Sequence, residues 1–314
     1  MIAALLEDKH LEELLRARVR QLLESGQISL FLGYERQESL PGILPSSVPC
    51  IIRDPSDVAR LVFDRVCHRS LVKYLLDLPT GGDSKERRAG LVVRGCDSLA
   101  LQRLIQDHRV SREEVYLLGI PCTGMVDKRK LSKVYPQSPS VSLESILDDT
   151  CLGCDTHNPV IYDELLCEKV SEAPSSVVDF VQVRRLEALS PDERYKVWEA
   201  EFSRCIRCFA CRNVCPACDC RQCTLESNDP GWITKHTSIS EQFMFHFIRA
   251  FHVAGRCVGC GECERVCPMG INIGELNRKF MKDIRELFGR DNPKMPRDVE
   301  PLGKFNPDDP EEFL

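Results

Sequence analysis

The chain has no apolar run approaching the eighteen or so residues needed to cross a bilayer, and its N-terminus meets acid at Glu7 before turning into an amphipathic pattern. It therefore carries neither a membrane span nor a signal or transit peptide on this reading, and is expected to be soluble. A long basic tract is also missing, and the formal net charge is -6, which counts against a nucleic-acid footprint. The disulfide pattern of a small secreted scaffold is absent as well. With 314 residues there is chain enough for two ordinary cores, and the eighteen cysteines fall at metal-ligand spacings instead. These absences predict a cytoplasmic protein whose thiols stay reduced.

What is present is a repeated cysteine run. Cys205, Cys208, Cys211 and Cys215, followed by Pro216, have the spacing C-x2-C-x2-C-x3-C-P, and Cys257, Cys260, Cys263 and Cys267, followed by Pro268, repeat it. In two-cluster ferredoxins the first three thiolates of each run hold one 4Fe-4S cluster and the fourth ligates the other. The expected sets are therefore Cys205, Cys208, Cys211 and Cys267 for one cluster and Cys257, Cys260, Cys263 and Cys215 for the next. Two C-x2-C pairs alone would fit a structural zinc site about as well, since zinc accepts four thiolates in a closed tetrahedron. Two complete runs in register, each closed by Cys-Pro, favour clusters.

Around these runs the pattern is helical. Ser190, Pro191 and Glu193 combine an N-cap, a first-turn proline and the acid of a capping box, so a helix should start there and run into Cys205. Met244, Phe247, Ile248 and Phe251 recur at helical spacing within residues 240–254, and a further helix is expected over 273–288, stopped by Gly289. The first half reads differently. Leu11, Leu14, Leu15, Val19, Leu22 and Leu23 form a helical stripe that signifies core packing, and residues 28–32, 50–53, 91–93 and 115–118 read as strands. Residues 41–49 are expected as a loop, 58–76 as a helix begun at Asp54 and Pro55, 80–88 as an exposed turn, 98–107 as a helix and 127–139 as a surface loop. Strand, helix and strand over residues 91–118 predict a parallel βαβ unit. The fold class that follows is an α/β N-terminal domain over residues 1–175, then an all-α ferredoxin-like domain with two 4Fe-4S clusters over 176–290. A linker is expected within residues 171–190, and residues 291–314, rich in proline and acid, read as an extended arm.

A third ligand set is suggested in the first half by Cys122, which follows a strand, the pair Cys151 and Cys154, and the more distant Cys167. Spacing alone serves a cubane, a zinc site or reduced bystander thiols equally well. His157 is a further ligand candidate, although a lone histidine there is more often hydrogen-bonded. Cys50, Cys67 and Cys96 are isolated and read as small buried hydrophobes. Of these Cys96 stands out, because Arg94, Gly95, Cys96 and Asp97 occupy a βα turn, where cofactors bind in α/β folds. Cys218, Cys220 and Cys223 could ligate a further centre, replace a ligand or shield a cluster. Arg204, Arg207 and Arg212 beside the first run, against Glu262 and Glu264 in the second, predict a higher potential for the first cluster.

These segments together resemble the iron-sulfur beta subunits of formate dehydrogenases and hydrogenases that reduce a deazaflavin coenzyme in anaerobic microbes. The resemblance rests on residues 94–101 (RGCDSLAL), 118–124 (LGIPCTG), the Cys151, Cys154 and Cys167 set, and nearly all of 204–289, including RCIRCFACRNVCPACDCRQC at 204–223. It implies a third 4Fe-4S cluster on Cys122, Cys151, Cys154 and Cys167. It also implies an electron-transfer subunit, without substrate chemistry of its own, relaying electrons in a hetero-oligomeric complex. The partners would be a catalytic subunit of formate dehydrogenase or hydrogenase type and a flavin or heterodisulfide-reductase-like protein. Family members often hold FAD in the first domain, and the alternative is accordingly an FAD-containing dehydrogenase subunit for a deazaflavin or nicotinamide coenzyme, with residues 94–97 at the flavin. This chain departs from that pattern: it is short ahead of Cys122 and has no glycine-rich Cys-Gly-Gly-type segment near its N-terminus.

Overall fold

A computed structural model describes residues 8–37, 44, 46–78, 88–135, 141–171, 180–227, 229, 231–234 and 236–288. The first half is built on one sheet. Helix α1 (Lys9–Glu24), capped by Asp8 accepting from the Leu11 N–H, turns Leu15, Val19 and Leu22 into the core. Strands β1 (Leu30–Arg36), β2 (Ser47–Ile52), β3 (Leu61–Val62) and β4 (Ala89–Val93) follow. Helix α2 (Gly95–Gln106) crosses to β5 (Val115–Gly119), and short helices α3 (Lys128–Val134), α4 (Leu143–Ile146) and α5 (Asp149–Leu152) precede β6 (Glu164–Leu165). The strand order is β2-β1-β4-β5-β6, with β3 on the far end of β1. Pairing is antiparallel between β1 and β2 and parallel from β1 through β4 and β5 to β6. Every residue of β4 and β5 is buried, as expected of strands covered on both faces. The expected βαβ unit is β4, α2 and β5, and the carboxyl ends of both strands open on one side of the sheet.

Three expectations for this half are corrected. Residues 58–76 do not form one helix; two 3-10 segments, Pro55–Arg60 and Val72–Asp77, flank β3. Val58, Leu61, Val62, Phe63, Val66, Cys67, Leu71, Val72 and Leu75 are all buried while Arg60 and Arg69 between them are exposed, and the run follows the core in short pieces. The strand expected at residues 50–53 begins earlier, at Ser47, and takes in Pro49, which sits opposite Tyr34 on the edge strand, where a missing N–H is tolerated. Within residues 127–139, α3 replaces the expected loop, since the Asp127 carboxylate accepts from the Arg129 and Lys130 N–H groups and starts a helix.

The second half contains helices α6 (Val181–Glu187), α7 (Pro191–Phe202), α8 (Ala210–Asn213), α9 (Ile239–His252), α10 (Glu262–Arg265) and α11 (Ile273–Phe288). Helix α6 lies inside the stretch read as a linker. The capping box at Ser190 and Glu193 is formed in both directions, and α7 ends at the buried Phe202, just short of Cys205. The stripe of Met244, Phe247, Ile248 and Phe251 that marks the helical period of α9 is not its fully buried face. Phe251 is 58% exposed, whereas Gln242, Phe245, His246, Arg249 and Ala250 face inward. Their i, i+3, i+4, i+7 and i+8 spacing is that of a buried face, but three of the five are polar. The expected turn at residues 80–87, the core of the linker at 172–179, and Gly289 with the arm at 291–314 lie outside the described residues.

Candidate iron-sulfur centres

The two cysteine runs fold alike. In the first loop Arg207 (φ 49°) and Phe209 (φ 59°) take left-handed backbone, and the corresponding residues of the second, Gly259 (φ 67°) and Gly261 (φ 72°), do the same. Each loop leads directly into a one-turn helix, α8 or α10. These bends turn the first three sulfurs of a run inward, and one of them, Cys205 Sγ, accepts the Arg207 N–H at 3.4 Å. Cys205, Cys208 and Cys211 line a small cavity with Cys267 from the second run. Reciprocally, Cys215 stands among Cys257, Cys260 and Cys263, near enough to act on the ionisation of each. The structure thus brings together the two crossed sets of four.

Burial is the largest influence on Cys205, Cys211, Cys257, Cys260 and Cys263. It pushes Cys211 and Cys257 up to about 11 and Cys263 up to about 12, so they ionise at neutral pH only when a cation is bound. Among the described residues no three or more Cys, His, Asp or Glu groups converge as a single metal ion requires. All eighteen cysteines are free thiols. Further donors surround the sulfurs: the Ile271 N–H reaches Cys267 Sγ at 3.4 Å and Asn277 Nδ2 reaches Cys263 Sγ at 3.6 Å. Four thiols around a small cavity, with N–H groups aimed at sulfur, suit a cubane cluster, whose potential depends on such hydrogen bonds. Sequence reading did not find Asn277, or Gln242, which donates to the Cys205 carbonyl at 2.7 Å.

The charge contrast predicted between the two runs is cancelled locally. Arg204 pairs with Glu201 (2.7 Å), Arg207 with Glu241 (3.1 Å) and Arg212 with Glu226. On the other run Glu262 pairs with Arg265 (2.7 Å) and Glu264 with Arg278 (3.0 Å). With each charge neutralised by a neighbour, the stated cause for a higher potential at the first set is gone. Of the additional thiols, Cys218 hydrogen-bonds to Cys215, lowering the Cys215 pKa and raising its own. Cys223 is half-buried and Cys220 exposed, while Cys50 and Cys67 are core residues.

Of the four thiols expected as a third set, the structure brings three together and leaves Cys167 apart. Cys122, Cys151 and Cys154 line a cavity of about 440 Å³ beyond the carboxyl ends of β4 and β5, and the fourth thiol there is Cys96. Cys167 follows β6, is exposed, and has Asp8 as its charged neighbour. It is not brought to the other three. Three of the cavity thiols again accept backbone N–H groups: Gly124 to Cys122 (3.4 Å), Met125 to Cys151 (3.5 Å) and Thr156 to Cys154 (3.4 Å). His157 is not a ligand here; its ring Nε2 donates to the Cys154 carbonyl at 2.8 Å.

Arg94, Gly95 and Cys96 line this cavity, and Asp97 stands behind them. Arg94, 2% exposed, pairs with Asp97 at 2.6 Å and donates to the carbonyls of Cys67 and His68. Both charged side chains are engaged inside the chain, which gives the flavin assignment of this turn no free polar group. Gly95 has a separate role, because a Cβ built on it would fall well inside van der Waals contact with the Thr156 carbonyl oxygen. Only glycine allows α2 to start against the Cys154–Thr156 strand of chain and bring Cys96 to its neighbours. Gly95→Ala is therefore expected to lower the bound iron by about four atoms per chain, one cubane's worth, with every thiol still present; iron and sulfide analysis checks it.

The two halves meet at this cavity. Cys260 of the second set lines it too, and Arg265 spans the seam from Asp148 (3.3 Å) to the Cys260 carbonyl. Elsewhere along the seam Arg129 donates to the Cys267 carbonyl (2.6 Å), Lys73 to the Cys218 carbonyl, and Arg256 bridges Asp107 (2.7 Å) and Asp219 (3.1 Å).

Residues 201–271, which contain both runs, match the family described as "4Fe-4S dicluster domain". The chain is 31% identical over 123 residues to the F420-dependent formate dehydrogenase subunit beta of Methanocaldococcus jannaschii, a match covering 39% of this chain and 31% of that one. It is 35% identical over 103 residues to the F420-dependent formate dehydrogenase 1 subunit beta of Methanococcus maripaludis, covering 31% of this chain and 25% of that one. The matches thus span about a third or less of the curated relatives' length. No helix among the described residues is long and apolar enough to cross a membrane. Twin cysteine loops of one geometry and a dicluster-domain match over them make this an iron-sulfur protein of electron-transfer type, whose matched segments are similar to formate dehydrogenase beta subunits.

Proposed function

We propose that this chain relays electrons through three 4Fe-4S clusters, as a subunit of an anaerobic, cytoplasmic oxidoreductase complex. The catalytic partner would be of formate dehydrogenase or hydrogenase type, and the other a flavin or heterodisulfide-reductase-like protein. The observation that carries the reading is contiguity. Cys260 belongs to the second set and lines the third cavity, while Cys215 and Cys267 exchange between the first and second, so the three sets adjoin in series. Bound cubanes would supply one-electron transfer with little change in geometry.

On this reading the first set is held by Cys205, Cys208, Cys211 and Cys267, the second by Cys257, Cys260, Cys263 and Cys215, and the third by Cys96, Cys122, Cys151 and Cys154. The chain's own groups exclude water and direct N–H groups at sulfur. Cys208 is the exposed member of the first set and marks the end of the series that faces outward. The α/β half and the helical half divide as two domains near residue 175. Their seam is where electrons would pass from one to the other.

Anaerobically purified chain is expected to carry about twelve iron atoms with matching acid-labile sulfide, four for each cubane, and to release no flavin on denaturation. Zinc without sulfide would overturn the reading. Flavin released in stoichiometric amount would favour the dehydrogenase alternative, and the protein that co-elutes identifies the catalytic partner.

A further inference from the structure

Arg249 projects from the inner face of α9 and is 3% exposed. Its Nη2 donates to the Cys211 carbonyl at 3.1 Å, but Nε and Nη1, both sealed from solvent, have no partner in the protein. Among the described residues no carboxylate bonds to it. The anionic groups that act on it are thiols: Cys215, Cys218, Cys263 and Cys211. Cys211 belongs to the first set of four, and Cys215 and Cys263 to the second, so the guanidinium lies between them.

A buried, unpaired cation is strongly unfavourable, and an aliphatic side chain would fill the same space without that cost. The neighbouring arginines differ from it. Arg204, Arg207, Arg212, Arg265 and Arg278 each have a carboxylate of their own. We propose that Arg249 is the shared counter-ion of the two C-terminal clusters, with Nε and Nη1 as hydrogen-bond donors to cluster sulfur on either side. A cubane held by four thiolates is anionic and gains one more negative charge when it accepts an electron. A fixed cation between two such groups favours the reduced form of both, so one residue raises both potentials together. The guanidinium suits this position because it presents several donors in a rigid fork and keeps its charge when buried.

The inference rests on the two-cluster reading, and EPR-monitored redox titration of the anaerobic full chain separates the two. For Arg249→Met the reduction equilibrium of both C-terminal clusters is expected to fall at least tenfold, about 59 mV for a one-electron couple, with the third cluster unmoved. Arg249→Lys, which keeps the charge and loses the fork, is expected to fall in the same direction by less. Potentials within twofold of wild type at full iron content, or a change confined to one cluster, would overturn the role of Arg249 alone. A wild-type chain without two C-terminal cubane signals would overturn both readings. Should the Met variant fail to assemble, wild-type protein labelled with guanidino-15N arginine decides the matter. Pulsed EPR is expected to detect a guanidinium nitrogen coupled to each reduced cluster, absent in Arg249→Lys, and no such coupling in wild type is the contrary result.

Discussion

Alanine in place of Cys96 is expected to remove about four of the roughly twelve iron atoms, one cubane, whereas alanine in place of Cys167 is expected to remove none. The argument is positional. Cys96 follows β4 and Cys122 follows β5, neighbours in the parallel sheet, and the backbone bond from the Cys122 N–H to the His157 carbonyl (2.8 Å) brings the Cys154 loop to the same end. Cys167 lies past β6 and is exposed. Iron and sulfide analysis on the two variants, with EPR of the reduced proteins, reads the outcome. A normal iron content for the Cys96 variant together with a deficit for Cys167 would restore the ligand set implied by resemblance.

The second large effect concerns stability. Arg94→Met would leave the Asp97 carboxyl nearly solvent-free and without its partner, and would also strip donors from the carbonyls of Cys67 and His68. Breaking a buried pair from one side costs about 3–5 kcal/mol, and denaturant unfolding of the anaerobic protein should register a loss of that order. Removing both charges in Arg94→Met with Asp97→Leu should recover much of it, since the uncompensated carboxylate is then gone. A flavin-contacting arginine would behave otherwise, with little change in stability and loss of the flavin on substitution.

Much of this molecule was readable before any coordinates. The eight thiols of the two runs carry their pairing rule in their spacing, and β4, α2, β5 and α11 declare themselves through uninterrupted burial or a well-kept helical period. The failures share a cause, which is that position in a chain is not position in space. Cys167 is far closer in sequence to the Cys151 and Cys154 pair than Cys96 is, and only the adjacency of β4 and β5 brings the more distant thiol in. Helix α9 is legible from its apolar stripe, yet Phe251 faces outward while Gln242, His246 and Arg249 turn inward, where Gln242 and Arg249 donate to the Cys205 and Cys211 carbonyls, contacts that a hydrophobicity pattern does not register. Residues 58–76 misled in the opposite way, since Val58, Leu61, Val62 and Val66 keep a helical spacing in a segment whose backbone is extended at β3. The charges beside the runs looked like a redox bias until their partners, distant in sequence or in the next turn, were visible.

Cys215 leaves the first loop to join the second set, and Cys267 returns the exchange. Neither loop can then close on its own complement of sulfur, so on the cubane reading loading proceeds as a mutual event and not as two separate ones. Oxidation of Cys215 in the first run would open the second set and oxidation of Cys267 in the second would open the first, so damage to one loop is felt at the other.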